Sequence, residues 1–192
     1  MQLRLALLMA LLSLAACQTP APAPTGGSLP GSAQSLLNWN LKGRLGYRAG
    51  DDGGSASLEW RQRDVQGLIN FSGPMGFGSA EIRWNPDQAM LDTGKEQLIA
   101  DDTASLAWRL TGLWLPVEAL EYWVRGLPFP RAAYQADHND SGALAALQQL
   151  GWALEFERYS AVPGGASLPH KIRATREDQR FTLLVQDWEP LP

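Results

Sequence analysis

The chain has 192 residues, a formal net charge of −4, one cysteine and eight tryptophans. One cysteine excludes an intrachain disulfide, and a mildly acidic chain without a Lys/Arg cluster lacks the field that attracts nucleic acid. No G-x-S-x-G, P-loop or H-E-x-x-H motif is present, and His138 and His170 have no metal-like partner spacing, so neither an enzyme nor a metal or other cofactor is indicated.

Residues 1–16 carry one positive charge, Arg4, ahead of an apolar run closed by small residues. The run is too short to span a bilayer and predicts a secretory signal. It ends Leu14-Ala15-Ala16-Cys17, the lipobox pattern, which makes Cys17 the expected acyl acceptor and lipid anchor. Residues 17–34 alternate proline with small residues, then turn to glycine and serine; this predicts an extended tether. Residues 35–192 have the size of one domain without internal repeats.

Ser35 to Asn40 predicts a short helix or lead-in. Leu41, Gly43, Leu45 and Tyr47 then share one face of a strand. The turn Gly50 to Gly54 follows, and Ala56, Leu58 and Trp60 share the next face. Arg61 to Asp64 predicts a polar turn. Ile69 and Phe71 form one face of a third strand, and Ala80, Ile82 and Trp84 one face of a fourth. Between these two strands lies Gly73-Pro74-Met75-Gly76-Phe77-Gly78, whose glycines and proline cannot continue either one. Met75 and Phe77 are apolar where a hairpin tip is ordinarily polar. They can fold back over the core or project toward a lipid or a partner, and the residues alone leave both open. Short strands at Ala89–Asp92 and Glu96–Ala100 complete an antiparallel meander, hence a sandwich or a barrel, open or closed.

The period then changes. Asp102-Thr103 offers an N-cap, with Leu106, Ala107 and Leu110 at helical spacing up to Gly112. Pro116 can open a second helix with the stripe Val117, Leu120, Trp123 and Val124, ended by Gly126. An apolar helical pair inside a meander needs a surface to cover, and the open end of a sheet would supply one. His138 to Asp140 predicts a turn. Gly142 to Leu150 reads equally as helix or strand. Trp152, Leu154 and Phe156 alternate as a strand, Ala161 to Ala166 is a loop, and Lys171–Thr175 and Phe181–Trp188 close the chain around a turn at Arg176 to Asp178. Trp60, Trp84, Trp108, Trp123 and Trp152 all fall on apolar faces, which suits a packed aromatic core or an apolar cavity.

LLNWNLKGRLGYR, ASLEW, FSGPMGFGSAEI, LTGLWLPVEALEYWVRGLP, QLGWALEFERY and LLVQDW together resemble the LolB family, over about Leu36 to Trp188. The resemblance implies a mainly β fold: an open antiparallel β half-barrel with a short helical lid over an apolar cavity. It implies an outer-membrane lipoprotein on the periplasmic face. Such a protein takes acylated lipoproteins from a LolA-like periplasmic carrier and inserts them into outer-membrane lipid, without catalysis and as a monomer. Gln18, where aspartate commonly retains lipoproteins of this kind in the inner membrane, agrees with export. The resemblance also places Met75, with Gly73, Pro74, Gly76 and Phe77, in the membrane-insertion loop, and favours strand over helix for Ala143 to Gln149. Expected cavity residues are Trp60, Ile69, Phe71, Ile82, Trp123 and Trp152. A structural lipoprotein, or a general lipid-binding one outside lipoprotein sorting, is the alternative.

Overall fold

The computed structural model describes residues 31–73 and 79–192. Among these, thirteen strands and two helices form one large sheet, a small hairpin and a lid. The strands are β1 (Asn38–Ala49), β2 (Asp52–Arg63), β3 (Gln66–Ser72), β4 (Ser79–Trp84), β5 (Ala89–Asp92) and β6 (Gln97–Ala100), followed by helices α1 (Thr103–Thr111) and α2 (Val117–Trp123). After the helices come β7 (Tyr134–His138), β8 (Leu144–Gln149), β9 (Trp152–Glu157), β10 (Ser160–Ala161), β11 (Ser167–Leu168), β12 (Lys171–Arg176) and β13 (Gln179–Pro190).

Eleven strands pair antiparallel in the order β6-β5-β4-β3-β2-β1-β13-β12-β9-β8-β7, and the sheet stays open between β6 and β7. The long central strands carry the strictest alternation. Leu41 and Leu45 of β1, Ala56, Leu58 and Trp60 of β2, and Leu183 and Val185 of β13 are buried on the concave face. Their neighbours Lys42, Arg44, Glu59 and Arg61 face solvent, as a half-buried strand of period two requires. β10 and β11 form a separate two-stranded hairpin.

Several sequence expectations shift here. Ser35 to Asn40 is a turn leading straight into β1, so Trp39 is a strand residue and is fully buried. The predicted five-residue turn contracts to Gly50-Asp51, since Ala49 already pairs with Asp52 and Gly53 and Gly54 continue the ladder. Arg61 to Arg63 belong to β2, and only Asp64 and Val65 turn. His138 ends β7 rather than opening a turn. The loop Ala161 to Ala166 narrows to the tip of the β10–β11 hairpin. Ala143 to Gln149, ambiguous by propensity, contains β8: pairing to β7 and β9 on both sides outweighs the local helix preference of ALAALQQL.

The helices have the caps foreseen. Asp102 Oδ1 accepts the Ser105 N–H at 2.7 Å, and Gly112, at φ 72°, closes α1. Pro116 stands before α2. Gly126, at φ 73°, lies just beyond α2 under the Tyr159 hydroxyl, which a Cβ would meet at 2.6 Å. Glycine alone fits both the backbone and the space there.

Candidate functional site

The lid lies on the concave face. α1 buries Leu106, Ala107 and Leu110; the linker buries Leu113 and Leu115; α2 buries Val117, Ala119 and Trp123. Between lid and sheet is a cavity of about 50 Å³. Its walls are Leu115, Leu120 and Val124 from the lid, Leu45, Leu58 and Trp60 from β1 and β2, Ile69 and Phe71 from β3, and Phe181 and Leu183 from β13. All ten are apolar, so the space offers a water no hydrogen-bond partner.

Trp60, Ile69 and Phe71 are among these lining residues. Ile82, Trp123 and Trp152 are not, and each stands next to a lining residue. Ile82 pairs with Ile69. Trp152 packs on Phe181, ring centroids 5.4 Å apart. Trp123 precedes the lining Val124, and its N–H donates to Gln149 Oε1 at 2.9 Å. Trp39 extends the aromatic layer, at 5.1 Å from both Trp60 and Trp188. The Trp60 N–H donates to buried Gln62 at 3.0 Å, whereas the buried N–H groups of Trp39 and Trp152 have no acceptor among the described residues. Trp108, expected on an apolar face, is 47% exposed: α1 buries Leu106, Ala107 and Leu110 on the opposite side. Pro74, Met75, Gly76 and Phe77, like Cys17, lie outside the described residues; Gly73 is described, at φ 128°.

Three buried polar residues were not foreseen. Gln62 continues the inward face of Ala56, Leu58 and Trp60 at period two, and Gln149 lies on a segment whose residues read equally as helix or strand. Arg125, 2% exposed, donates to the Leu36 carbonyl at 2.8 Å and pairs with Glu121 at 3.4 Å, fastening the chain before β1 to the end of α2. Burial raises the Glu121 carboxyl above the ordinary carboxylate range despite the Arg125 charge, and burial lowers Arg125.

A second opening, of about 380 Å³, lies between the start of the lid helices and the β2–β3 and β4–β5 turns. Asp64, Asp101, Asp102, Glu118 and Glu121 give it a mainly acidic wall, in which Arg131 pairs with Glu118 at 2.6 Å, and Leu37, Val65, Tyr122 and Phe129 give it an apolar one. Exposed Leu37 and Val65 continue the apolar surface outward.

An open antiparallel sheet with a helical lid over an apolar cavity defines the class of lidded β half-barrels. The model of the family described as "Outer membrane lipoprotein LolB" matches residues 37–188, and the chain belongs to that family. Outer-membrane lipoprotein LolB of Stutzerimonas stutzeri (strain A1501) is 36% identical over 157 residues, covering 81% of this chain and 76% of the relative. The protein of the same name from Chromohalobacter salexigens is 31% identical over 185 residues, covering 93% and 86%. Among solved structures, a LolA superfamily protein from Nitrosomonas europaea superposes with a TM-score of 0.54 at 10% identity, over 84% of this chain and 94% of its own. A DUF1329 family protein from Desulfovibrio piger superposes with a TM-score of 0.57 at 9% identity, over 82% and 87%. Those two likenesses concern the fold alone.

Proposed function

We propose that this protein, held at the periplasmic face of the outer membrane through acylated Cys17, accepts acylated lipoproteins from a LolA-like carrier and inserts them into the membrane. The observation that carries the proposal is the wholly apolar cavity between the lid and the central strands. Family membership favours it over a general lipid-binding role.

The physical task is transfer, and no bond need be made or broken. Each methylene removed from water contributes roughly 0.8 kcal/mol, so free acyl chains do not leave one cover until another is in place. A site for a lipid-sized ligand occupies roughly 300–1,000 Å³, against about 50 Å³ here. On this reading Leu115, Leu120 and Val124 lift from the sheet as chains enter. The acidic opening beside the lid suits a basic carrier surface, and complementary charge would raise the rate of encounter. The β3–β4 loop, with Met75 at its centre, would then lead the cargo into the bilayer.

The test mixes carrier loaded with an acylated lipoprotein, this protein, and phospholipid vesicles. Cargo should pass to this protein and then to the vesicles, and Cys17→Ala should abolish outer-membrane attachment while leaving transfer to the protein intact. Cargo that stays on the carrier with folded protein present would exclude the proposal.

A further inference from the structure

Trp108 and Trp114 are both 47% exposed, and they stack with ring centroids 5.4 Å apart and planes 21° apart. Nothing in the cavity or the lid's inner face uses them. Trp108 is on the outer side of α1. Trp114 lies between Leu113 and Leu115, which are 0% and 6% exposed and pin the linker from both sides. The indole pair is thus presented rigidly, with little conformational entropy left to lose on binding.

The pair stands at a defined end of the sheet. Gly112, which closes α1, sits with its Cβ position 3.5 Å from the Cβ of Ala49, the last residue of β1. Arg109 reaches the β5–β6 turn, pairing with Glu96 at 3.7 Å. The β3 strand runs toward this end and stops short of it: Ser72 pairs with Ser57, whose β1 partner Arg44 lies five residues before Ala49, and a Cβ on Gly73 would lie 3.7 Å from Ala56. The chain enters β1 at the opposite end, at Asn38.

We infer that the stacked Trp108–Trp114 pair is a membrane-interface contact that settles this rim of the sheet into the headgroup region of a phospholipid bilayer. The inference deepens the insertion role proposed above and rests on it. Tryptophan suits that region because its ring is apolar and its N–H is polar. Tether length permits the orientation. Residues 18–30 can span at most about 45 Å, and the twelve residues of β1 measure roughly 40 Å, so an anchored Cys17 can reach the level of the far rim. The rim charges are mixed, with Lys95 and Arg109 beside Asp92 and Glu96, and Arg48 beside Asp51 and Asp52. No polybasic patch is present there, so attachment should work on zwitterionic lipid and depend little on salt.

The experiment uses the full lipidated chain in phosphatidylcholine vesicles made with or without chains brominated near the glycerol end. Bromine should quench part of the tryptophan emission of the wild type, and Trp108→Phe with Trp114→Phe should remove at least half of that quenching. Trp114→Phe alone should remove a smaller share, which guards against misfolding of the double variant. Quenching unchanged in the folded double variant overturns the inference. So does quenching of the pair that appears only when loaded carrier is added, which would make it a contact for carrier or cargo. Met75→Glu, run in parallel, separates the two readings. If it blocks delivery while the pair is not quenched, only the indole contact fails. If delivery persists while the pair is quenched, the loop role fails and the indole contact stands.

Discussion

The indole N–H of Trp123 donates to Gln149 Oε1 at 2.9 Å, joining the end of α2 to β8. The same oxygen accepts the Phe129 N–H at 2.9 Å, and the Gln149 amide nitrogen donates to the carbonyls of Phe129 and Ala132 at 2.7 and 3.0 Å. One buried amide thus meets four partners, its full capacity. Gln149→Leu strands all four, three of them at buried contacts. With each unsatisfied group costing about 1–3 kcal/mol, the loss should exceed about 3 kcal/mol in urea denaturation.

Trp123 is, by this geometry, a structural bolt for the lid rather than a cavity wall. Trp123→Phe removes the donor and keeps most of the packing, so it should cost about 1 to 3 kcal/mol; Trp123→Ala should cost about 3–5 kcal/mol. Neither should impair acyl binding once the protein is folded at low temperature. Saturation of the binding signal at unchanged ligand concentration checks this.

Leu58 faces the lid across the cavity. Leu58→Trp should fill the space and hold chains out. Overpacking typically costs about 1–3 kcal/mol, so a folded protein with weakened acylated-peptide binding is expected. Titration of the peptide against tryptophan fluorescence is confounded by the new indole, and a fluorescent acyl peptide followed by anisotropy avoids that.

Glu121 gives a pH signature. Its folded-state carboxyl titrates above the ordinary value of 4.5 because of burial, so the native state holds the proton more tightly than the unfolded chain. From 4.5 up to the raised value, this group lowers stability as pH rises. Glu121→Gln removes that slope. The stability of Glu121→Gln relative to wild type should therefore improve on going from pH 4 to pH 7. Arg125→Lys, which loses the forked contacts to Leu36 and Ala33, should cost about 1.5–3 kcal/mol at either pH. Chemical denaturation at the two pH values measures both.

Met75→Glu should leave the thermal midpoint within the range of a surface change, about 0.5 kcal/mol, and still allow uptake from the carrier. Delivery into vesicles should fail, because a carboxylate resists the acyl region. Met75→Leu should match wild type. Loss of stability in Met75→Glu would instead place Met75 against the core.

Much of this protein was legible in its sequence, because period-two alternation and capping chemistry are local. Leu41 to Tyr47, Ala56 to Trp60 and Trp152 to Phe156 declared their strands, and Asp102, Gly112 and Pro116 declared the helix boundaries. Motif resemblance supplied the half-barrel and its family. Other features depend on which strands become neighbours, and no local pattern encodes that. Pairing on both sides made a strand of Leu144 to Gln149 although its composition favours helix. Pairing on both sides turned Gln149 inward, where it meets Trp123 and Phe129, more than a dozen residues away in the chain. The lid's placement decided that Trp60, Ile69 and Phe71 face the cavity while Ile82, Trp123 and Trp152 stand beside its lining. The tilt of α1 put Leu106 and Leu110 against the sheet and left Trp108 outside on Trp114. The identity and period of the apolar residues are local facts of the chain; which of them bury each other, and which stay exposed like Trp108 and Trp114, follows from how the strands and lid pack.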